Sequence, residues 1–540
     1  MSFRGTRRRV FLAPVTGVVL VLVCVGSAFA QSGGLVPQCD TPAWVTAWSP
    51  LSRRGNLVRS LPGIPSCAAR LLWGPPRVGT FWSSGNPGAA ALEINDQRTD
   101  FEASWNRQSG SYRRPLDPGG SSLPRIGAKG WGIFGSDGAF AGRAMIDQER
   151  QSPGTPSDLN EPFGSSPYVL TDTSNAAVRR TRFLIEGVGG WQLGDWSLGV
   201  ALGHESRENE TIESGLTRNT RSSIPGISVG AVRRLGVLTV GAHGRWRGRA
   251  ETIELDEVAA EGQVHDLRGY QEIPASEIVG NYYRRMEERA SAWGADLSFH
   301  QGVTRAALTV EATHLELEQW RAQLNQPLKD RWNTRGWRAT AAFRRSLSDA
   351  LLFHAEAEYE RLTGSAKDST GVAFTTTEHA LKASLSLWLR PGASRGWTGS
   401  VVSGLQHQRW VRNDSVVSLS SDILASIPWF EVELGRHLGR VLLGGGVSGL
   451  AYGPTTTIPD PDRGPIYSSL IAPELGLYSA RASTVAVIGF ARWQLSPRST
   501  VWGSTRFERL APRDVDPNRH DIPSGARTVA TLRAGLTLIP

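Results

Sequence analysis

From about residue 98 to the last position, apolar and polar residues alternate in runs of roughly ten to eighteen. Short turns and long polar stretches join these runs by turns. In the run beginning at Leu351 the odd positions are Leu351, Phe353, Ala355, Ala357 and Tyr359, whereas the even ones after Leu352 are His354, Glu356, Glu358 and Glu360. Leu381, Ala383, Leu385, Leu387 and Leu389 separate in the same way from Lys382, Ser384 and Ser386, and Ala530, Leu532, Ala534, Leu536 and Leu538 from Thr531, Arg533, Gly535 and Thr537. Side chains on a strand point alternately to its two faces, so each run predicts a strand with one greasy and one wet face. Soluble strands average only about five or six residues. A closed barrel in a membrane accounts for the greater length, because in hydrocarbon every backbone group must be paired. The expected fold is all-β, an antiparallel up-and-down transmembrane β-barrel.

Short turns are predicted at Ser136-Asp137-Gly138, Gly194-Asp195, Leu235-Gly236, Gln301-Gly302, Ser348-Asp349, Gly392-Ala393, His437-Leu438 and Pro497. Placing them on the periplasmic side leaves residues 108–127, 150–177, 207–220, 251–281, 320–330, 363–373, 412–418, 453–482 and 511–525 as outward linkers. The walk gives about eighteen strands, with a range of sixteen to twenty. The range reflects the stretch from Ile466 to Thr484, which reads equally as a loop or as a strand pair. Trp191 with Trp196, Trp388 with Trp397, and Trp493 with Trp502 bracket three of the short turns, as an aromatic girdle at one membrane interface requires. Trp320 and Trp332 are expected in the opposite girdle.

Residues 1–30 read as a cleavable secretory signal. Arg4, Arg7, Arg8 and Arg9 precede an apolar stretch from Val10 to Val25, and Ala28-Phe29-Ala30 supplies the small-residue cleavage site. Val23 before Cys24 argues against lipidation there. Residues 31–97 are Pro-rich, carry Trp44, Trp48, Trp73 and Trp82, and do not alternate; they suit a periplasmic arm, a plug in the lumen or a lead-in to the barrel at 98–540. Behind a secretory signal, Cys39 and Cys67 are expected to form one disulfide.

The formal net charge of +9 includes the four leader arginines, and the remaining Lys and Arg are spread singly through the strands. That argues against a nucleic-acid partner. The 60 Gly and 19 Trp fit tight turns and interfacial anchoring. Arg305, Arg338, Arg344, Glu356, Glu358, Lys382 and Arg533 lie on wet stripes and are candidates for lining the lumen. Such charges either set selectivity or form salt-bridge ladders that hold the wall, and the ladder is the simpler reading. Gly444 to Gly449 matches the glycine fingerprint of dinucleotide sites but lies inside a strand, where it suits close packing or a bend. No HExxH or Walker A motif is present, and no catalytic, metal-binding or cofactor residue is nominated. An outer-membrane hydrolase is a third reading, weakened if His354 and His407 prove far apart in the wall.

Gly85-Asn86-Pro87-Gly88-Ala89 resembles the Asn-Pro-Ala element near the start of fatty-acid-transporter-type barrels, with Gly88 in place of the Ala. More widely, Asn86 to Ala91, Ser166-Pro167-Tyr168-Val169-Leu170-Thr171-Asp172-Thr173, the Gly-rich hairpin from Gly187 to Gly203, and Tyr282-Tyr283-Arg284-Arg285 resemble an uncharacterised family of outer-membrane barrels of about 500 residues, common in Bacteroidetes-type bacteria. The resemblance implies an outer-membrane location in a Gram-negative-type cell, with membrane lipid and the barrel-assembly machinery as partners, and no activity. Many such barrels end in an aromatic residue that resembles an assembly signal, whereas this sequence ends Leu538-Ile539-Pro540. The leading expectation is a porin-like pore or transporter for small polar solutes. The alternative is a structural or surface-interaction barrel, its lumen closed by the N-terminal segment and loops such as Glu251 to Asn281, acting with a periplasmic or surface protein partner.

Overall fold

Each alternating run forms a strand paired with its neighbours in sequence, and the last strand pairs with the first. The computed structural model describes residues 70–72, 77–113, 117–154, 166–172, 176–212, 217–258, 264–273, 280–323, 326–368, 371–389, 396–457, 467–513 and 525–540. The secretory signal, Cys39 and Cys67 lie outside them. In chain order the strands are β1 (Arg98–Gly110), β2 (Gly120–Phe134), β3 (Gly138–Gly154), β4 (Tyr168–Asp172), β5 (Ala176–Leu193), β6 (Trp196–Thr211) and β7 (Thr217–Leu235). There follow β8 (Leu238–Val258), β9 (Val264–Arg268), β10 (Gln271–Ile273), β11 (Gly280–Gln301), β12 (Thr304–Gln323), β13 (Gln326–Ser346) and β14 (Leu351–Asp368). The rest are β15 (Gly371–Leu389), β16 (Trp397–Asp414), β17 (Leu419–Leu438), β18 (Val441–Thr457), β19 (Ala482–Ser496), β20 (Ser499–Pro512) and β21 (Arg527–Leu538).

All but β4, β9 and β10 belong to one 18-stranded sheet, closed by antiparallel pairing of β1 with β21 in which Ala103 opposes Ala534. Closure removes every edge, as a membrane wall requires. β4, β9 and β10 form a separate three-stranded sheet. The stretch from Ile466 to Thr484 holds a helical turn at Tyr467–Ile471 and a helix at Ala472–Ser479 ahead of β19, which settles the strand count at eighteen. Near residue 437 the turn falls two positions later than expected, at Gly439, whose φ of 60° lies in the left-handed region that glycine reaches most easily. Several outer linkers are shorter than predicted: β12 runs to Gln323 and β13 starts at Gln326, so the wall rises past the stretch the hydrophobic stripe marks.

The outer face is apolar, with Leu308, Val310, Leu385, Leu387, Val401, Leu405, Phe430 and Val432 all exposed to the surroundings. Trp191, Trp196, Trp397 and Trp493 share that face beside the short turns, 42–55% exposed. Trp388 and Trp502 depart from the expected girdle. They are 3% and 4% exposed and point inward, packing with Leu352, Leu442, Ile488 and Phe490. Trp332, expected in the opposite girdle, is likewise fully buried on the inner side. Truncating a buried aromatic costs about 3–5 kcal/mol. Trp388→Ala is therefore expected to lower the urea midpoint of the refolded barrel markedly, and Trp397→Ala far less; equal midpoints would show that Trp388 is not part of a packed inner layer.

Candidate functional site: the occluded lumen

Residues 77–97 fold inside the barrel at the end that carries the short turns. Helix α1 (Thr80–Ser84) ends at Gly85, whose φ of 76° is left-handed. Asn86 then caps a tight turn at Pro87–Ala89, its Oδ1 accepting the Gly88 N–H at 2.8 Å, and Pro87 brings a pre-set helical φ. The turn continues into α2 (Ala90–Glu93), and the Glu93 carboxylate reaches back to accept the Phe81 N–H at 3.0 Å. Phe81 is fully buried, packing with Ala89, Ala90 and Ile94 against Trp131, Val188 and Val232 of the wall. Asp96, just before β1, accepts from Arg77 at 3.0 Å and from Trp131 Nε1 at 2.8 Å. Partial burial pushes its carboxyl up, but the Arg77 guanidinium and the Trp131 N–H outweigh that and hold it below the usual carboxylate range.

The wall is shaped to receive the Asn86-Pro87-Gly88 turn. A Cβ on Gly199 would lie 2.0 Å from the Pro87 carbonyl oxygen, one on Gly230 would lie 1.9 Å from Asn86 Oδ1, and one on Gly190 would meet the Ala90 Cβ at 3.0 Å. These glycines stand on the neighbouring strands β5, β6 and β7, so the seat is a patch of wall stripped of side chains to let two backbones approach.

Beside the seat lies a buried polar cluster. Asn86 Nδ2 donates to Asp296 Oδ2 at 2.8 Å and to the Ala242 carbonyl at 3.2 Å. The same Asp296 oxygen lies 2.9 Å from His243 Nδ1, and Thr309 donates to its other oxygen at 2.7 Å. His243 Nε2 is 3.6 Å and Arg245 Nη1 3.3 Å from Glu311, while Arg245 also donates to the Ser84 carbonyl. Asn86, His243, Arg245, Asp296 and Glu311 are all at most 5% exposed. Each buried group left unpaired costs about 1–3 kcal/mol, so the cluster fixes where the segment sits.

A second stretch, Arg70–Leu72, is held on a distant part of the wall. The N–H groups of Arg70 and Leu71 each donate to the Glu433 carboxylate at 2.8 Å, Arg70 also pairs with Glu431, and Leu71 and Leu72 join the inward cluster around Trp388. Between strands β17 and β8 the described parts of 70–97 thus reach well-separated sectors of the lumen.

The long-loop end is closed by different elements. Tyr168 and Leu170 of β4 pack inside the wall on Ile253, Leu255, Leu317 and Trp332. Helix α3 (Ala472–Ser479) seats Leu475 and Tyr478 on Trp410 and Ile423. Tyr452 donates to the Tyr478 carbonyl at 2.7 Å, and the Tyr270 N–H to Asp414 at 3.0 Å. Between the two closures runs a belt of cross-strand ion pairs: Arg125 with Asp147 at 2.8 Å, Arg143 with Glu186 at 3.0 Å, Arg182 with Glu205 at 2.6 Å, Arg338 with Glu358 at 2.8 Å and Arg533 with Glu102 at 2.8 Å.

Residues 88–418 of the chain match the profile described as "Family of unknown function (DUF6850)". The chain belongs to this family. No curated protein matches the sequence. Among solved structures the DUF6850 chain is similar to the copper transporter OprC, at 8% identity over 82% of this chain and 80% of that one with a TM-score of 0.42. It is also similar to the unliganded ferric citrate transporter FecA, at 12% identity, coverages of 82% and 78% and a TM-score of 0.40. A Pseudomonas aeruginosa FadL homologue matches at 10% identity, with 89% and 98% covered and a TM-score of 0.36. Likeness at this level says nothing about cargo.

In the DUF6850 barrel the seven lumen candidates lie on the inward stripe but not at one point. Arg338 and Arg533 are tied into the ion-pair belt. Glu356 accepts from Ser384 at 3.0 Å with its side chain 47% exposed, and Lys382 stands opposite Glu358. Arg305 opposes Arg344 across β12 and β13. His354 points inward, whereas His407 is on the outer face against Ser426 at 3.0 Å, so the two histidines lie on opposite sides of the wall. The glycines from 444 to 449 lie within β18; a Cβ on Gly446 would meet the Val432 carbonyl at 2.5 Å, so they serve close strand packing. Asn86, His243, Arg245, Asp296 and Glu311 were not legible as a site: Asn86 stood out in its Asn-Pro motif, but nothing in the sequence joins it to the other four.

Proposed function

We propose that this barrel is an outer-membrane transporter for small polar solutes, closed at rest by residues 70–72 and 77–97 on the periplasmic side and by β4, β9, β10 and α3 on the outer side. The observation that carries the reading is the belt between the closures. An 18-stranded wall is wide enough to enclose water, and here its inner stripe is charged, with Glu356 reaching open space. The inner closure rests on a glycine seat, hydrogen bonds and an apolar patch, while the strand pairing that closes the wall does not run through it, so it can leave without unfolding the wall. We assign the protein no catalytic chemistry. The existence of two closures also favours a second reading, a structural barrel whose lumen stays shut and whose loops engage a partner.

Single-channel recording in a planar bilayer separates the two. The whole chain is expected to be nearly silent, and a form lacking residues 31–97 is expected to conduct steadily. Silence from both forms, with the barrel shown to be folded by its heat-dependent gel shift, would leave the structural reading standing.

A further inference from the structure

The outer face from β8 through β11 to β16 carries a groove of about 830 Å³. Its floor is a row of small residues in register across three strands, Ala341 opposite Ala357 and Ala357 opposite Ala383. Leu308 on β12 and Leu405 on β16 wall the row at its two ends. Phe343 closes it toward the short turns, and Trp337 and Tyr359, with ring centroids 4.8 Å apart, stand toward the long loops.

Directly beyond its aromatic edge the outward residues change character. Trp337, Arg361, His379 and Arg409 form one cross-strand row, and Arg335 is two residues further on along β13. Arg335, Arg361 and Arg409 are exposed. Arg409 pairs with Asp422 at 2.6 Å and Arg331 with Glu318 at 2.9 Å, whereas Arg335 and Arg361 have no ion-pair partner among the described residues. His379 Nδ1 lies 3.1 Å from the Tyr359 hydroxyl, which ties the basic row to the groove's rim. The row and the alanine floor are four residues apart along each strand, or about 13 Å.

We propose that this face binds a phosphorylated, multiply acylated lipid of the outer leaflet, one acyl chain lying in the alanine groove and a phosphate resting on Arg335 and Arg361. A guanidinium is the side chain best suited to bidentate contact with phosphate, and two that have no ion-pair partner among the described residues, at the level where hydrocarbon gives way to headgroup, are complementary to such a lipid. The groove supplies the apolar half of the recognition, since each buried methylene favours retention. The proposal rests on the outer-membrane placement with the long loops outward, and is independent of whether the lumen conducts.

The test is native mass spectrometry of the full-length barrel in detergent, titrated with lipid A, with chemically dephosphorylated lipid A and with phosphatidylglycerol. Intact lipid A is expected to bind as a discrete one-to-one adduct. Removal of its phosphates and the double substitution Arg335→Gln/Arg361→Gln should each weaken it roughly 30-fold, about fivefold per lost cation contact. Ala357→Leu, which fills the groove without touching charge, should also weaken it. Equal binding of intact and dephosphorylated lipid A by the unaltered protein would overturn the proposal whatever the variants do, as would phosphatidylglycerol binding as tightly as lipid A. The variants' heat-dependent gel shift checks that they remain barrels.

Discussion

Replacing Gly199 by leucine is expected to open the barrel without unfolding it. At this position a Cβ would stand 2.0 Å from the Pro87 carbonyl oxygen, a backbone atom that cannot swing away as a side-chain tip could. Relief requires the whole Asn86-Pro87-Gly88 turn to lift from its seat, and with it the contacts to Asp296 and Arg245 that depend on that position. The strand itself gains, because leucine suits a β-strand better than glycine does. Steady single-channel current from Gly199→Leu, against near silence from the unaltered chain, is the predicted result. Gly187→Leu is the control: it lies on the next strand with nothing within 4 Å of an added Cβ, so it should stay silent. A converse variant holds the segment down. The Cβ of Ala90 and one built on Gly190 are 3.0 Å apart, close enough for a cysteine pair after a shift of some tenths of an ångström. With Cys39 and Cys67 changed to serine, the oxidised pair should abolish any solute uptake and a reductant should restore it. If Gly199→Leu is as quiet as Gly187→Leu, the seat does not hold the inner closure.

Alternation made the wall legible because it records a physical boundary at every second residue. The parity of Leu381 to Leu389 sends the odd positions to lipid, and the same parity sends Trp388 inward with Ser384 and Ser386. Expecting Trp388 at the interface let proximity to a turn outrank parity. Trp502 shows the same thing on β20, where Val501 and Phe507 face out and Trp502 faces in. A tryptophan beside a turn has two destinations in a barrel whose inner end is plugged: one is the membrane interface, the other the apolar layer on which the plug rests. The ion-pair belt was visible only as stripes of mixed charge, since which Arg meets which Glu depends on register and shear. The Gly-rich hairpin and the Asn-Pro turn were each visible as motifs. Their meeting was not, because the 100 or so residues between them carry no local sign of a contact. Gly230 and Asp296, still further along the chain, complete the same site.

Asp296 should be the residue whose loss loosens the closure most among the polar contacts. It is 5% exposed and takes hydrogen bonds from Asn86 at 2.8 Å and Thr309 at 2.7 Å, with His243 Nδ1 at 2.9 Å. Asp296→Ala strands all three partners and leaves Arg245 and His243 with Glu311 alone as a nearby acid. Breaking one side of a buried charged network typically costs about 3–5 kcal/mol, a factor of roughly 150 to 5,000 in the resting equilibrium. Asp296→Asn keeps the shape and one acceptor oxygen, so its cost should be nearer 1–2 kcal/mol. The expected order of channel open probability is therefore Ala above Asn above the unaltered residue. A double-mutant cycle with Asn86→Ala locates the effect: if Asp296 acts through the plug, the two substitutions together should open the barrel little more than Asp296→Ala alone, with a coupling of about 1–3 kcal/mol. Additive effects would mean that Asp296 merely stabilises the wall. Asp422→Asn provides the contrast, since its pair with Arg409 is exposed on the outer face, and such pairs contribute about 0–1 kcal/mol. That variant should leave both conductance and the gel shift unchanged, because an exposed pair on the outer face touches neither the N-terminal segment nor its seat.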